Sequence, residues 1–186
     1  MKYLSAVARR LFGPYVLCRI YSLSLENGPR PGSSPWTLGP IRNAEEMKRS
    51  SDPTLRHVAY CATEGAHGFG AWSNGELASA CWFWGAELYN RERSFWPLEA
   101  QEAKLIELAT AEPFRGRGIA PKLMGYASNE MKKLGYRRLF ARVWHSNRSS
   151  ITAFRKAGWV YVAFVVLISP FGVKKPLRFV HTRANP

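Results

Sequence analysis

Apolar positions recur along the chain with two periods. Leu123, Ala127, Met131 and Leu134 are spaced for one face of a helix, which predicts a helix over Ile119 to Leu134 stopped by Gly135. Ser149 to Ala157 predicts a second helix, closed by Gly158. Short apolar runs bounded by Gly, Pro and Ser predict strands at Lys104 to Thr110, Leu139 to Trp144, Trp159 to Ile168 and Leu177 to His181. Upstream, Tyr15 to Leu25 reads as a strand after the Gly13-Pro14 break. Val58 to Leu88 reads as strands hinged at Ser73-Asn74-Gly75, because Asn-Gly suits the positive dihedrals of a tight hairpin. Asn43 before Ala44-Glu45-Glu46 predicts an N-cap with acids in the first turn of a short helix. Asn27 to Pro40, rich in Gly, Pro and Ser, predicts a loop long enough to face a substrate. Met1 to Phe12 places Leu4, Val7, Ala8 and Leu11 at helical spacing beside Lys2, Arg9 and Arg10. It predicts a helix lying on the domain or on an anionic membrane surface. Antiparallel strands first, then a strand–helix–strand–helix–strand run, predict a mixed α/β sheet. Without an internal repeat or a linker, residues 1–186 read as one domain.

Composition narrows the class. With 46% hydrophobic and 22% charged residues the chain is globular rather than disordered. The apolar stretch Trp159 to Ile168 is too short to span a bilayer. Tyr15 to Leu25 is interrupted by Arg19 and lacks a small-residue cleavage site, so neither signal peptide nor anchor is expected. Cys18, Cys61 and Cys81 are scattered, which fits reduced thiols in a cytoplasmic protein. The four histidines have no metal-ligand spacing and Asp52 is the only aspartate, so no metal is expected. The net charge of +14 attracts anions, among them phosphorylated cofactors and acidic substrates. Its charges are spread along the chain instead of forming one basic arm, which argues against nucleic acid as the partner.

One segment combines these properties. Strand Lys104 to Thr110 runs into Arg115-Gly116-Arg117-Gly118-Ile119-Ala120, which opens the helix near Pro121. Glycines let a backbone approach a ligand, first-turn amides are unpaired, and the helix dipole is positive there. Proline in that turn costs no hydrogen bond. The result is a diphosphate cradle flanked by Arg115 and Arg117. A dinucleotide fold would need a third glycine and an acid at the end of the next strand. Pro121 follows instead, and Leu139 to Trp144 carries Arg142 and no acid.

Arg115-x-x-Gly118-x-Ala120 resembles the acetyl-CoA signature of the GCN5-related N-acetyltransferase (GNAT) superfamily. Asn147-Arg148-Ser149-Ser150-Ile151-Thr152-Ala153-Phe154-Arg155-Lys156-Ala157-Gly158-Trp159 resembles its second signature, in the same order along the chain. The resemblance covers Lys104 to Trp159 and implies an acetyl-CoA-binding core at 104–159. It also implies a GNAT fold: a mostly antiparallel sheet flanked by helices, splayed in a V between strands 104–110 and 139–144. It implies that the amides of Arg115, Gly116, Arg117, Gly118, Ile119 and Ala120 hold the pyrophosphate. Leu108, Ala109 and Thr110 would pair with the pantetheine arm, and Asn147, Phe154 and Lys156 would complete the cofactor site. A Leu108 amide would stabilise the tetrahedral oxyanion.

The implied reaction is direct attack of a neutral amine, which requires a base. Glu107 is the best-placed carboxylate, interrupting an apolar strand where burial would raise its pKa; Glu87 and Glu102 follow it. Phe154 stands where many relatives carry a tyrosine that protonates the leaving thiolate, so Ser150, Tyr126, Tyr161 or water would supply that proton. Arg142 stands where some peptide-acetylating relatives carry glutamate. Trp82, Phe83, Trp84, Phe95 and Trp96 form either an aromatic acceptor wall or core. The expected acceptor is the primary amine of a small molecule or amino sugar. A protein or peptide amine, and a non-catalytic acyl-CoA-binding module, are the alternatives. The chain is expected to act as a monomer or homodimer.

Overall fold

The computed structural model describes residues 14–26, 34–93, 95–170 and 175–183. The helix expected at Met1 to Phe12 lies outside them. One sheet of eight strands runs in the order β2-β3-β4-β5-β6-β1-β7-β8. In chain order these are β1 (Tyr15–Ser24), β2 (Thr37–Pro40), β3 (Ala66–Ser73), β4 (Glu76–Gly85), β5 (Glu102–Thr110), β6 (Arg138–Trp144), β7 (Val160–Ile168) and β8 (Leu177–Thr182). All neighbouring pairs are antiparallel except β5 with β6. The helices are α1 (Glu45–Lys48), α2 (Pro53–His57), α3 (Ala86–Glu92), α4 (Ile119–Lys133) and α5 (Arg148–Lys156).

The hairpin between β3 and β4 turns at Asn74 and Gly75, whose φ values of 50° and 80° are those of a tight primed turn. Where the sequence predicted strand from Val58 onward, Val58–Cys61 is a 3-10 turn continuing α2. That helix starts with Asp52 as N-cap and Pro53 in its first turn. Likewise the strand expected to reach Leu88 ends at Gly85 and passes into α3. The end of the predicted Asn27–Pro40 loop is β2, an edge strand paired with β3.

The two faces of the sheet bury different cores. Under α4 and α5 lie Tyr21, Phe83, Leu105, Leu123, Met124, Met131, Leu139, Phe154 and Trp159. On the opposite face, α1, α2 and the 3-10 turn cover Met47, Leu55, Val58, Ala80 and Trp82. There α3 and the segment after it cover Cys18, Ile20, Trp84, Leu88, Tyr89, Phe140 and Val165. Trp82, Phe83 and Trp84 are therefore core residues. Burying apolar area of this extent is the main favourable term of the fold.

Two irregularities in β5 shape the site. Its pairing with β6 runs from Glu102↔Arg138 to Leu105↔Ala141 and stops there, so the strands fork beyond Leu105. Its register with β4 also slips, Trp82 facing Glu107 while Phe83 faces Leu105. Ile106 is the extra residue of a β-bulge. The bulge leaves Leu108 packed against the α4-side core while Ile106 packs on the opposite face, where Glu107 meets Tyr60.

Candidate functional site

A cleft of about 380 Å³ opens at the fork, lined by β5, the loop into α4, and α5. Ala111 donates its amide to the Ala78 carbonyl across β4. By the two-residue period of a strand, the main-chain groups of Leu108 and Thr110 then face the other edge, towards β6. No strand pairs there beyond Leu105. Arg115 Nε donates to the Thr110 carbonyl at 3.1 Å and Arg115 Nη2 to Thr54 Oγ1 at 3.1 Å, which anchors the loop between β5 and α4. Asp52 secures the same loop: one carboxylate oxygen accepts from the Thr54 amide at 2.7 Å, the other from the Glu112 amide at 2.8 Å.

The start of α4 is the open end of this loop. Gly116 and Gly118 have φ of 76° and 74°, the left-handed region that glycine enters without strain. A Cβ added to either would meet no heavy atom within 4 Å, so the space over the loop stays open to a ligand. No side chain caps α4. Its first-turn amides and the positive end of its dipole therefore face the cleft without an internal partner. The α5 start differs, since Asn147 Oδ1 accepts from the Ser150 amide at 3.0 Å and from Ser149 Oγ at 2.8 Å.

Of the residues singled out in the sequence, the cleft brings together Leu108, Ala109, Thr110, Arg115, Gly116, Gly118, Ile119, Ala120, Ser150 and Lys156. Asn147, Phe154, Arg117 and Glu107 lie outside its lining. Asn147 is occupied as the cap of α5, and Phe154 is 4% exposed, 5.1 Å from the Trp159 ring and 5.6 Å from Tyr21. Arg117 extends over the Phe114 ring at 5.7 Å. Glu107 stands on the other face of the fork, half-buried, with Oε1 accepting from the Tyr60 hydroxyl at 2.8 Å. Burial, and then that bond, push the Tyr60 phenol up, so it stays protonated as the donor. Tyr126 packs on Phe69 and Tyr161 on Tyr21, away from the cleft. Glu102 lies at the paired end of β5, accepting from the Glu99 amide.

Sequence reasoning missed Thr54, Asp52 and Tyr60. Asp52-Pro53 is a legible helix start, but nothing local ties it to a loop 60 positions away. Among the described residues no group of three or more His, Cys, Asp or Glu could hold a metal ion, and no helix is long and apolar enough to cross a membrane.

Residues 36–159 match the model of the Acetyltransferase (GNAT) family. No curated protein matches the chain. A GNAT-family acetyltransferase structure from Colwellia psychrerythraea is 15% identical with a TM-score of 0.57, over 90% of this chain and 61% of that one. A GCN5-related N-acetyltransferase from Sphaerobacter thermophilus gives 15% and 0.57, over 90% and 56%. A GCN5-related glucosamine N-acetyltransferase region of a fungal multi-domain GH3 β-N-acetylglucosaminidase gives 13% and 0.59, over 97% and 22%. These likenesses are of fold, and the chain spans less than two thirds of the length of each protein.

Proposed function

Since the chain belongs to the GNAT family of acetyltransferases, we propose that it transfers an acetyl group from acetyl-CoA to a primary amine of a small molecule or amino sugar. The observation that carries this reading is the fork, where an unpaired strand edge at Leu108–Thr110 adjoins the uncapped start of α4. An extended amide-containing arm fits such an edge as an added strand, and a diphosphate fits the helix start. Arg115 and Lys156 line the same cleft and supply positive charge.

When bound, acetyl-CoA supplies an activated thioester carbonyl. The first-turn amides of α4 hold the diphosphate, and the main chain of Leu108 with the Thr110 amide holds the arm, the Thr110 carbonyl being bonded by Arg115. The Leu108 amide faces the open edge as a preorganised donor for the carbonyl oxygen as it gains charge. Glu107 removes a proton from the acceptor ammonium on the other face of the fork, directly or through water. The freed amine forms the C–N bond as the C–S bond breaks; the departing thiolate takes a proton from the Ser150 hydroxyl or from water, and the proton that the acylated nitrogen then loses restores that donor. Ser150 is half-buried in the cleft wall, whereas Phe154 has no proton to give. Three buried, unpaired thiols support a reducing, cytoplasmic setting.

The test pairs calorimetric titration with acetyl-CoA and thiol release with a panel of amines, glucosamine among the first. Wild type should bind acetyl-CoA and release thiol with at least one amine. Glu107→Gln should bind equally well and release thiol about 10²–10⁴-fold more slowly. Failure to bind acetyl-CoA overturns the reading. Binding without thiol release from any amine leaves a non-catalytic acyl-CoA module.

A further inference from the structure

The face of the fork that carries Glu107 also carries three guanidiniums. Arg142 is the first β6 residue past the last β5–β6 pair. Its register partner across β1 is Ile20, which faces the α3-side core, so Arg142 points to the Glu107 face. Its guanidinium lies over the Phe95 ring at 4.7 Å. Arg178 of β8 lies over the same ring at 5.8 Å and donates from Nη2 to the Phe95 carbonyl at 3.0 Å. On the β4 side, Arg93 lies over Trp84 at 5.2 Å and Tyr60 at 5.9 Å, and Tyr60 is the residue bonded to Glu107. Ile106, next to Glu107, packs against both apolar clusters of this face and ties the two sides together.

None of the three pairs with a carboxylate; the ion pairs found among the described residues are Glu45–Lys48, Glu92–Arg91, Glu130–Lys133 and Glu102–Arg138. Stacking uses the flat faces of a guanidinium: Arg178 spends one in-plane donor on Phe95, while the in-plane donors of Arg142 and Arg93 remain aligned for a two-oxygen acceptor. Below them Lys104 is 3% exposed, and its amine has no hydrogen-bond partner among the described residues. Three guanidiniums thus share one sheet face with Glu107, the carboxylate at the fork, while Glu102 at the paired end of β5 is matched by Arg138. Such a face is short of negative charge until a ligand supplies it.

We propose that the amine acceptor also carries an oxyanion, a carboxylate or a phosphate, held by Arg142 and Arg93 on this face with the amine turned to Glu107. This rests on the acetyl-transfer reading and adds the substrate class to it. Arg178 fixes Phe95 as the platform for Arg142 and is a positioning residue.

The experiment titrates matched amines into the protein saturated with CoA: phosphoethanolamine against ethanolamine, and β-alanine against propylamine. The charged member of at least one pair should bind roughly tenfold or more tightly, the range expected for charge-assisted hydrogen bonds, and added salt should narrow the gap. The two pairs distinguish phosphate from carboxylate. Arg142→Gln should erase the gap and Arg142→Lys restore part of it, with CoA affinity unchanged and thermal unfolding still cooperative in both. Equal binding within both pairs overturns the proposal, as does a gap that survives in Arg142→Gln. Thiol release is read separately with acetyl-CoA. A gap that depends on Arg142 without thiol release from any amine sinks the transfer reading and leaves the anion site standing; thiol release without a gap does the reverse.

Discussion

Asp52 shows how much of the site one side chain can hold. It caps α2 and, through the Glu112 amide, pins the segment that leads from β5 to Arg115. That amide, with help from Thr54, holds its carboxyl below the ordinary value of 3.8. A depressed folded-state pKa stabilises the protein fully above the ordinary value and is lost as pH falls through the folded one. Asp52→Ala should therefore cost about 1 kcal/mol near neutral pH, the usual cost of losing a cap. Urea unfolding at pH 6 and pH 3 should show the gap between variant and wild type closing at the lower pH. Acetyl-CoA affinity should fall with it, since the loop under Arg115 loses its tether. At this scale the sequence was legible where the proposed site rests on backbone conformation: Gly116 and Gly118 stand at left-handed φ ahead of α4. It was less legible for side chains with two available jobs. Asn147 and Phe154 belong to a recognisable motif, yet one is spent on a cap and the other on core packing.

Among the elements, β5 carries the most proposed roles, and its irregularities have the weakest local signal. The strand itself, the cradle and both helices after it follow from periodicity and glycine placement. The fork was legible only through the family resemblance, which implied a splay between 104–110 and 139–144; neither it nor the bulge at Ile106 has a local signature, because each is a property of two strands together. Lys104 shows the consequence. It looks like an ordinary strand lysine in sequence, but its partners Trp84 and Phe140 and the α3 cover bury it, with its amine 5.7 Å from the Tyr89 ring. Burial first, then the charge of Arg142, push its pKa down to about 7. Between that value and its ordinary 10.5 the unfolded chain binds a proton that the folded chain does not. Wild-type stability thus gains from this group as pH rises through that window, and the penalty is full below it. Lys104→Met should stabilise the protein at pH 6.5, by on the order of 2 kcal/mol. Urea midpoints at pH 9.5 should show a smaller gain, and a gain independent of pH would mean that Lys104 is hydrated.

At the scale of the whole molecule, the sheet is ordered by contacts that no local pattern encodes. Tyr15 to Leu25 reads as a strand, but its period says nothing about neighbours. In the fold β1 lies between β6 and β7, pairing with both. The wall of the fork formed by β6 is therefore braced on its far edge by the first described strand of the chain. The edge of the sheet on that same side is different: every residue of β8 is exposed and it pairs only with β7. Two truncations should separate these roles. Removing residues 1–26 takes out a central strand, with Ile20, Tyr21 and Leu23 from two cores. It should abolish cooperative unfolding and acetyl-CoA binding together. Removing residues 175–186 takes away an edge, and should lower the unfolding midpoint by only roughly 5 °C, the shift that about 2 kcal/mol gives at this chain length. Acetyl-CoA binding should persist in that shorter chain, because none of the lining of the cleft comes from β8. Its preference for anionic amines should weaken, since Arg178 no longer fixes Phe95 beneath Arg142. Calorimetry on the two truncated chains reads both effects, and acetyl-CoA binding that survives the loss of β1 would show that β6 holds the fork open unaided.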